Sequence, residues 1–197
     1  RRRGDDLADA MRPAGADIPG IRSSFTTPLG MRIDEGIAGT PADLSVKIFG
    51  TEYTSAPDLA NYAQLFGYAF QLTNIIRDVG DDLEMGRIYL PEAEMKAAGY
   101  TREMLISRDH TPAFDRLMQG LYERAKTCYR RGRNAVDFRD RPNLLPAEIM
   151  AHVYEGLLEK IRDDGFRVLF QKTELSRGRK LGLAVRAWLY CHGLHYY

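Results

Sequence analysis

The sequence predicts an all-α helical bundle, and two observations carry that expectation. From about Ala56 onward, apolar residues recur at intervals of three and four, the period of a helix with one buried side. Strand signals, runs in which β-branched or aromatic residues alternate with polar ones, are nearly missing. A chain of 197 residues is long enough for one domain with a substantial core, so residues 1–197 are read as a single domain.

The first fifty residues are the exception to the helical pattern. Gly and Pro recur through "MRPAGADIPGIRSSFTTPLGMRIDEGIAGTPADL", which leaves room for short helical pieces between breakers. The first long helix then opens at Ser55, whose side chain suits an N-cap, with Pro57 in the first turn. Leu59, Tyr62, Ala63, Phe66, Ala69, Phe70 and Thr73 give it a buried face, and it is read as one continuous helix as far as Met85. An irregular segment follows in "GRIYLP", Gly86 to Pro91, and a short helix is expected from Glu92 to Ala98, stopped by Gly99. Two amphipathic helices come next, Ala113 to Phe138 and Pro146 to Asp164, the second striped by Ile149, Val153, Leu157 and Ile161. The last, Ser176 to Tyr190, is a basic helix expected to turn Leu181, Val185 and Trp188 inward.

Bulk properties narrow the function. Charged residues make up 28% of the chain, yet the net charge is only +1, so nucleic acid is not expected as a partner and any anion must be bound locally. Cys128 and Cys191 form no CxxC spacing, which fits a reduced cytoplasmic protein without structural zinc. No apolar run reaches the roughly 18 to 20 residues of a membrane span, and "RRRGDDLADA" lacks the apolar core of a signal peptide. A cytoplasmic location is expected, with at most peripheral membrane contact; the oligomeric state is left open.

Within the first long helix, "FQLTNIIRDVGDD" interrupts the apolar pattern. At about 100° per residue, Gln71, Asn74, Asp78 and Asp82 project from one narrow side, with Asp81 beside them. Carboxylates one turn apart repel each other unless a cation lies between them. A single such pair usually marks a solvated face; here the helix is apolar around most of its circumference and two carboxamides extend the line. Mg²⁺ suits these ligands, because hard cations take carboxylate oxygens, keep several waters and bridge to substrate phosphates. "DDLAD" repeats the spacing at Asp5 and Asp9, with Asp6 adjacent. Two such helices facing each other would hold Mg²⁺ ions around a diphosphate and make it a good leaving group. Tyr62, Phe66, Phe70 and Tyr154 are candidate walls of a dry cavity that protects the resulting carbocation.

These residues resemble the squalene/phytoene synthase family of head-to-head prenyltransferases. "GYAFQLTNIIRDVGDDLEMGRIYLP" is similar to the family's second aspartate-rich motif and the segment after it. The similarity continues more weakly through "AHVYEGLLEKIRDDGFRVLF" and "LSRGRKLGLAVRAWL", so that 46–190 is the best-matching part, and "DDLAD" resembles the first motif. The resemblance implies an isoprenoid-synthase helical bundle, a Mg²⁺ cofactor and two molecules of farnesyl or geranylgeranyl diphosphate as substrates. One diphosphate ionises, its cation attacks the alkene of the other, and a cyclopropylcarbinyl diphosphate leads to phytoene, or through presqualene diphosphate and NADPH to squalene. It further implies Asp5, Asp9, Asp78 and Asp82 as metal ligands and catalytic residues. Gln71, Asn74, Arg77, Arg87, Tyr89, Tyr154 and Arg167 are implied as the substrate-binding set. The chain departs from the family in having fewer residues between the two motifs and no Tyr-rich YCYxVAG segment, so 1–45 is expected to be irregular or truncated. The alternatives are a noncatalytic relative acting as an assembly or interaction module, and a class I terpene cyclase.

Overall fold

The computed structural model describes residues 53–194. These fold into helices α1 (Ala56–Arg77), α2 (Val79–Glu84), α3 (Glu92–Ala98), α4 (Arg102–Ile106), α5 (Pro112–Asn134), α6 (Leu145–Asp163) and α7 (Arg177–Cys191). Two 3₁₀ segments, Phe138–Leu144 and Arg167–Leu169, precede and follow α6. No strand occurs among the described residues, as the sequence predicts.

Helix α1 is the core element. Ser55 caps it by accepting from the Asp58 N–H, and Tyr62, Phe66, Ala69, Phe70 and Ile76 are fully buried. Its principal partner is α5, which opens behind the Thr111 cap and Pro112. Where the two helices touch, Phe66 and Phe70 meet Tyr129 edge to face at 6.0 and 5.8 Å, and Tyr62 packs on Phe66 at 4.3 Å. Gly132 of α5 makes this approach possible, since a Cβ there would lie 2.6 Å from the Phe66 ring. Tyr62, Phe66 and Phe70 are therefore core packing among the described residues, the commoner role of aromatics at helical spacing. Thr73 Oγ1 and Tyr129 Oη, 3.0 Å apart, satisfy each other inside this apolar layer.

The long first helix is not continuous. Asp78 caps α1, with φ −99° and ψ 10°, and α2 restarts at Val79. The Asp78 N–H still donates to the Asn74 carbonyl at 2.9 Å and the Asp82 N–H to the Asp78 carbonyl at 2.8 Å, so helical hydrogen bonds run across the break. Just past the break, α2 packs on the 3₁₀ turn Arg167–Leu169, so closely that a Cβ on Gly80 would stand 2.5 Å from the Val168 carbonyl oxygen. A backbone carbonyl cannot swing aside as a side chain can. Gly80→Ala is expected to destabilise the fold by about 1–3 kcal/mol, read as a lowered thermal midpoint; an unchanged midpoint would mean that the turn yields freely.

Helix α3 ends at Gly99, which takes the left-handed conformation with φ +72°, as expected. The short helix α4, capped by the Thr101 side chain, is not anticipated by the sequence, and α5 stops at Asn134, short of Phe138. Helix α6 matches its expected range within a residue. The orientation of α7 is a correction. Leu181, Val185 and Trp188 are exposed, and Leu183, Ala187 and Cys191 face α6 instead. The physical reason lies in α6: Gly156 leaves room for Leu183, whose Cδ1 would come within 2.6 Å of a Cβ there.

Candidate active site

The polar stripe stands on the side of α1 and α2 that is only half-buried. Gln71, Asn74, Asp78 and Asp82 all lie at this intermediate depth, between fully buried neighbours such as Leu72, Thr73, Ile76 and Val79. The break at Asp78 keeps the two carboxylates close enough to interact. Burial and then the negative charge of Asp78 raise the Asp82 carboxyl above its usual range, against the pull of Arg87 and Arg77.

Two features of the stripe fit a bound cation with its phosphate. Asn74 Oδ1 is buried and has no hydrogen-bond partner among the described residues, so it is an acceptor that a metal-bound water or a ligand donor would satisfy. The second is the carboxylate pair itself, a hard-oxygen donor set in which burial and the neighbouring Asp78 charge raise Asp82. No group of three or more metal-ligating side chains converges among the described residues.

Arg77 folds back onto Asp78, donating from Nε at 2.6 Å and from Nη2 at 2.5 Å, a two-pronged pairing. That pairing, with Tyr154 as a further partner, holds the guanidinium above its ordinary pKa. Tyr154 itself is half-buried and packs edge to face on Phe70 at 5.0 Å, so α6 does reach the stripe through this side chain. Arg87 is exposed and lies within electrostatic reach of Asp82; its N–H also donates to the Asp82 carbonyl at 2.8 Å. Tyr89 is exposed nearby, and both residues border a narrow crevice with Asp82, Ile75 and Val79.

Arg167 lies differently. It is exposed in the 3₁₀ turn behind Gly80 and borders an open hollow with His110, Asp115, Arg116 and Arg162, a hollow to which no stripe residue contributes. Asp5 and Asp9 lie outside the described residues.

Sequence reasoning missed Lys172. Its ammonium donates to Asp81 Oδ2 at 2.9 Å, and this bond raises its pKa. The only local signal is a cation in the segment after α6, and its partner is 91 residues away. With Arg77 and Arg87, Lys172 brings cationic side chains to the aspartates from two separate parts of the chain.

An all-α bundle whose core helix breaks at an aspartate-rich stripe is the isoprenoid-synthase class of fold. A family model described as squalene/phytoene synthase matches residues 35–179, and the chain belongs to that family. It is 31% identical over 179 residues to the phytoene synthase of Thermus thermophilus, covering 86% of this chain and 60% of that relative. To phytoene synthase 2, chloroplastic, of Zea mays it is 30% identical over 148 residues, 74% of this chain and 37% of that one. Among solved structures, a dehydrosqualene synthase in complex with a ligand superposes with a TM-score of 0.60 at 29% identity, covering 71% of this chain and 49% of the other. The chain thus spans between 37% and 60% of the length of these relatives.

Proposed function

We propose that this chain carries the metal- and diphosphate-binding part of a prenyltransferase that joins two prenyl diphosphates, farnesyl or geranylgeranyl, head to head with Mg²⁺. The supporting observation is the stripe: a carboxylate pair and a buried amide oxygen without a partner among the described residues, on one side of a core helix. Asp78 and Asp82 are the residues that would hold the metal, with Asp5 and Asp9 as the opposite pair implied by family resemblance. When bound, Mg²⁺ supplies charge neutralisation that turns diphosphate into a good leaving group.

The side chains divide the remaining work. Gln71 and Asn74 present amide groups to diphosphate oxygens or to the waters between. Arg77 is held ready by Asp78 and Tyr154, and its planar fork suits a phosphate oxygen pair. Arg87, Tyr89 and Lys172 add donors at the rim, and Arg167 would join them only by reaching out of its hollow. Breaking the allylic C–O bond releases diphosphate, the cation adds to the alkene of the second substrate, and loss of a proton closes the cyclopropane. The relatives are named for phytoene and dehydrosqualene. None of those names speaks for NADPH, which stays outside the proposed reaction.

The experiment is incubation of purified protein with Mg²⁺ and radiolabelled farnesyl or geranylgeranyl diphosphate, followed by product chromatography. A hydrocarbon or cyclopropylcarbinyl diphosphate is the expected result, and the substrate that yields it fixes the chain length. A folded protein that gives neither product would overturn the enzymatic reading. The noncatalytic interaction module would then lead.

A further inference from the structure

Helix α7 has two apolar sides, and only one of them packs against other described residues. Leu183, Ala187 and Cys191 pack inward, while Leu181, Val185 and Trp188 form an outer stripe with exposures of 67%, 51% and 45%. Spacings of four and three put these three in one line, and His192 prolongs it by stacking on Trp188 at 4.6 Å. Beyond the left-handed Gly193, Leu194 is 52% exposed and extends the apolar surface.

The charges around this stripe are one-sided. From Ser176 to the C-terminus the sequence holds Arg177, Arg179, Lys180 and Arg186 and no Asp or Glu, although the whole chain has a net charge of only +1. All four cations are exposed, and none forms an ion pair among the described residues, whereas Arg124, Lys126, Arg133 and Arg162 on α5 and α6 do. Arg177, Arg179 and Lys180 cluster in the first turn, where the positive end of the helix dipole gives a lone cation no support. An apolar stripe ending in Trp, bordered by unpaired cations, matches an element that lies in the headgroup layer of a bilayer.

We propose that the outer face of α7 is an interfacial surface that seats this protein on anionic lipid, with Leu181, Val185 and Trp188 entering the headgroup region and the four cations meeting lipid phosphates. Charge complementarity selects the occupant: an anionic bilayer offers the dense negative charge that this helix lacks. The inference is independent of the chemistry assigned to the aspartate stripe, and its test requires no turnover.

Trp188 is the only tryptophan in the chain, so intrinsic tryptophan fluorescence reports on this face alone. The full chain is titrated with phosphatidylcholine vesicles with and without phosphatidylglycerol, while Trp188 emission and cosedimentation are followed. Emission should shift to the blue with phosphatidylglycerol present, stay unchanged with phosphatidylcholine alone, and revert as salt screens the charges. Each lost cation weakens partition about fivefold, so the triple variant Arg177→Gln, Arg179→Gln, Lys180→Gln should bind about a hundredfold more weakly. Leu181→Gln with Val185→Gln should also weaken binding with all charges intact; these residues are exposed, so circular dichroism should show an unchanged fold. Three outcomes overturn the proposal. The first is emission that does not respond to phosphatidylglycerol. The second is blue, iodide-shielded emission from the free protein, meaning that the chain itself covers the face. The third is a shift that follows protein concentration without vesicles, meaning that a second copy does.

Discussion

Replacing Arg133 by Leu is expected to destabilise the fold by about 3–5 kcal/mol, which for a chain of this size lowers the thermal midpoint by about 10 °C or more. Arg133 sits near the C-terminal end of α5 and is the shared partner of two carboxylates on α6. Its Nε donates to Glu148 Oε2 at 3.1 Å and its Nη1 to Glu155 Oε2 at 2.8 Å. The Glu148 side chain is 2% exposed, and its second side-chain donor, Tyr62 Oη, stands at 3.3 Å. Without the guanidinium, a nearly water-free carboxylate would be left uncompensated, which costs far more than the intact pair contributes.

The pH dependence of that loss follows from opposite shifts. Burial raises the Glu148 carboxyl even with Arg133 beside it, so removing Arg133 raises it further and Glu148 folds increasingly in the neutral form. The penalty of Arg133→Leu should therefore be largest at neutral pH and shrink as pH falls and Glu148 takes up a proton. Burial also pushes Glu155 upward, but Arg133 and Lys126 outweigh it and hold that carboxyl below its usual value of 4.5. In the wild type, the stability from Glu155 is present above that usual value and is lost as pH falls through the lowered one. Urea unfolding of both proteins across acidic and neutral pH checks this. A Glu148→Gln, Arg133→Leu double variant should recover part of the loss, and equal penalties at every pH would show that packing against Phe66 and Tyr190, not charge, is what Arg133 provides.

Whatever depends on neighbours within one helix is legible in the sequence. The Ser55 cap, the buried face of α1 and the left-handed stop at Gly99 are local, and the structure has them where the sequence puts them. So is the grouping of Gln71, Asn74, Asp78 and Asp82, because helical geometry alone puts them on one side. The inward face of α7 is not legible, because two apolar stripes run along the helix and period cannot choose between them; Gly156 on α6 makes the choice. Gly80 reads as an ordinary helix glycine, and only the fold brings the carbonyls of Val168 and Leu169 against it. Lys172 is hidden for the same reason, its meaning lying in a residue far away in sequence. In each case the missing information is tertiary, and the stripe proposed to bind metal is where local pattern and tertiary burial conflict, with carboxylates set between fully buried neighbours.

That conflict makes the aspartates the most sensitive test of function. Asp78→Ala is expected to reduce product formation by about a thousandfold, the scale of losing several kcal/mol of charge stabilisation at a diphosphate leaving group. It also frees Arg77 from its two-pronged partner, so Asp82→Asn is the cleaner companion. Because burial and Asp78 raise the Asp82 carboxyl, its ionised form costs the metal-free fold stability at neutral pH. Neutralising it should therefore raise the thermal midpoint without metal while abolishing the further rise that Mg²⁺ gives the wild type by binding the folded state. Metal binding should likewise weaken as pH falls toward the raised Asp82 value, because a protonated carboxyl is a poor Mg²⁺ ligand. A site kept for metal predicts opposite signs for stability and function at one residue; a solvated surface pair predicts neither. If Asp82→Asn left both the midpoint and its Mg²⁺ response unchanged, the stripe would be ordinary surface and the proposed chemistry would lose its foundation.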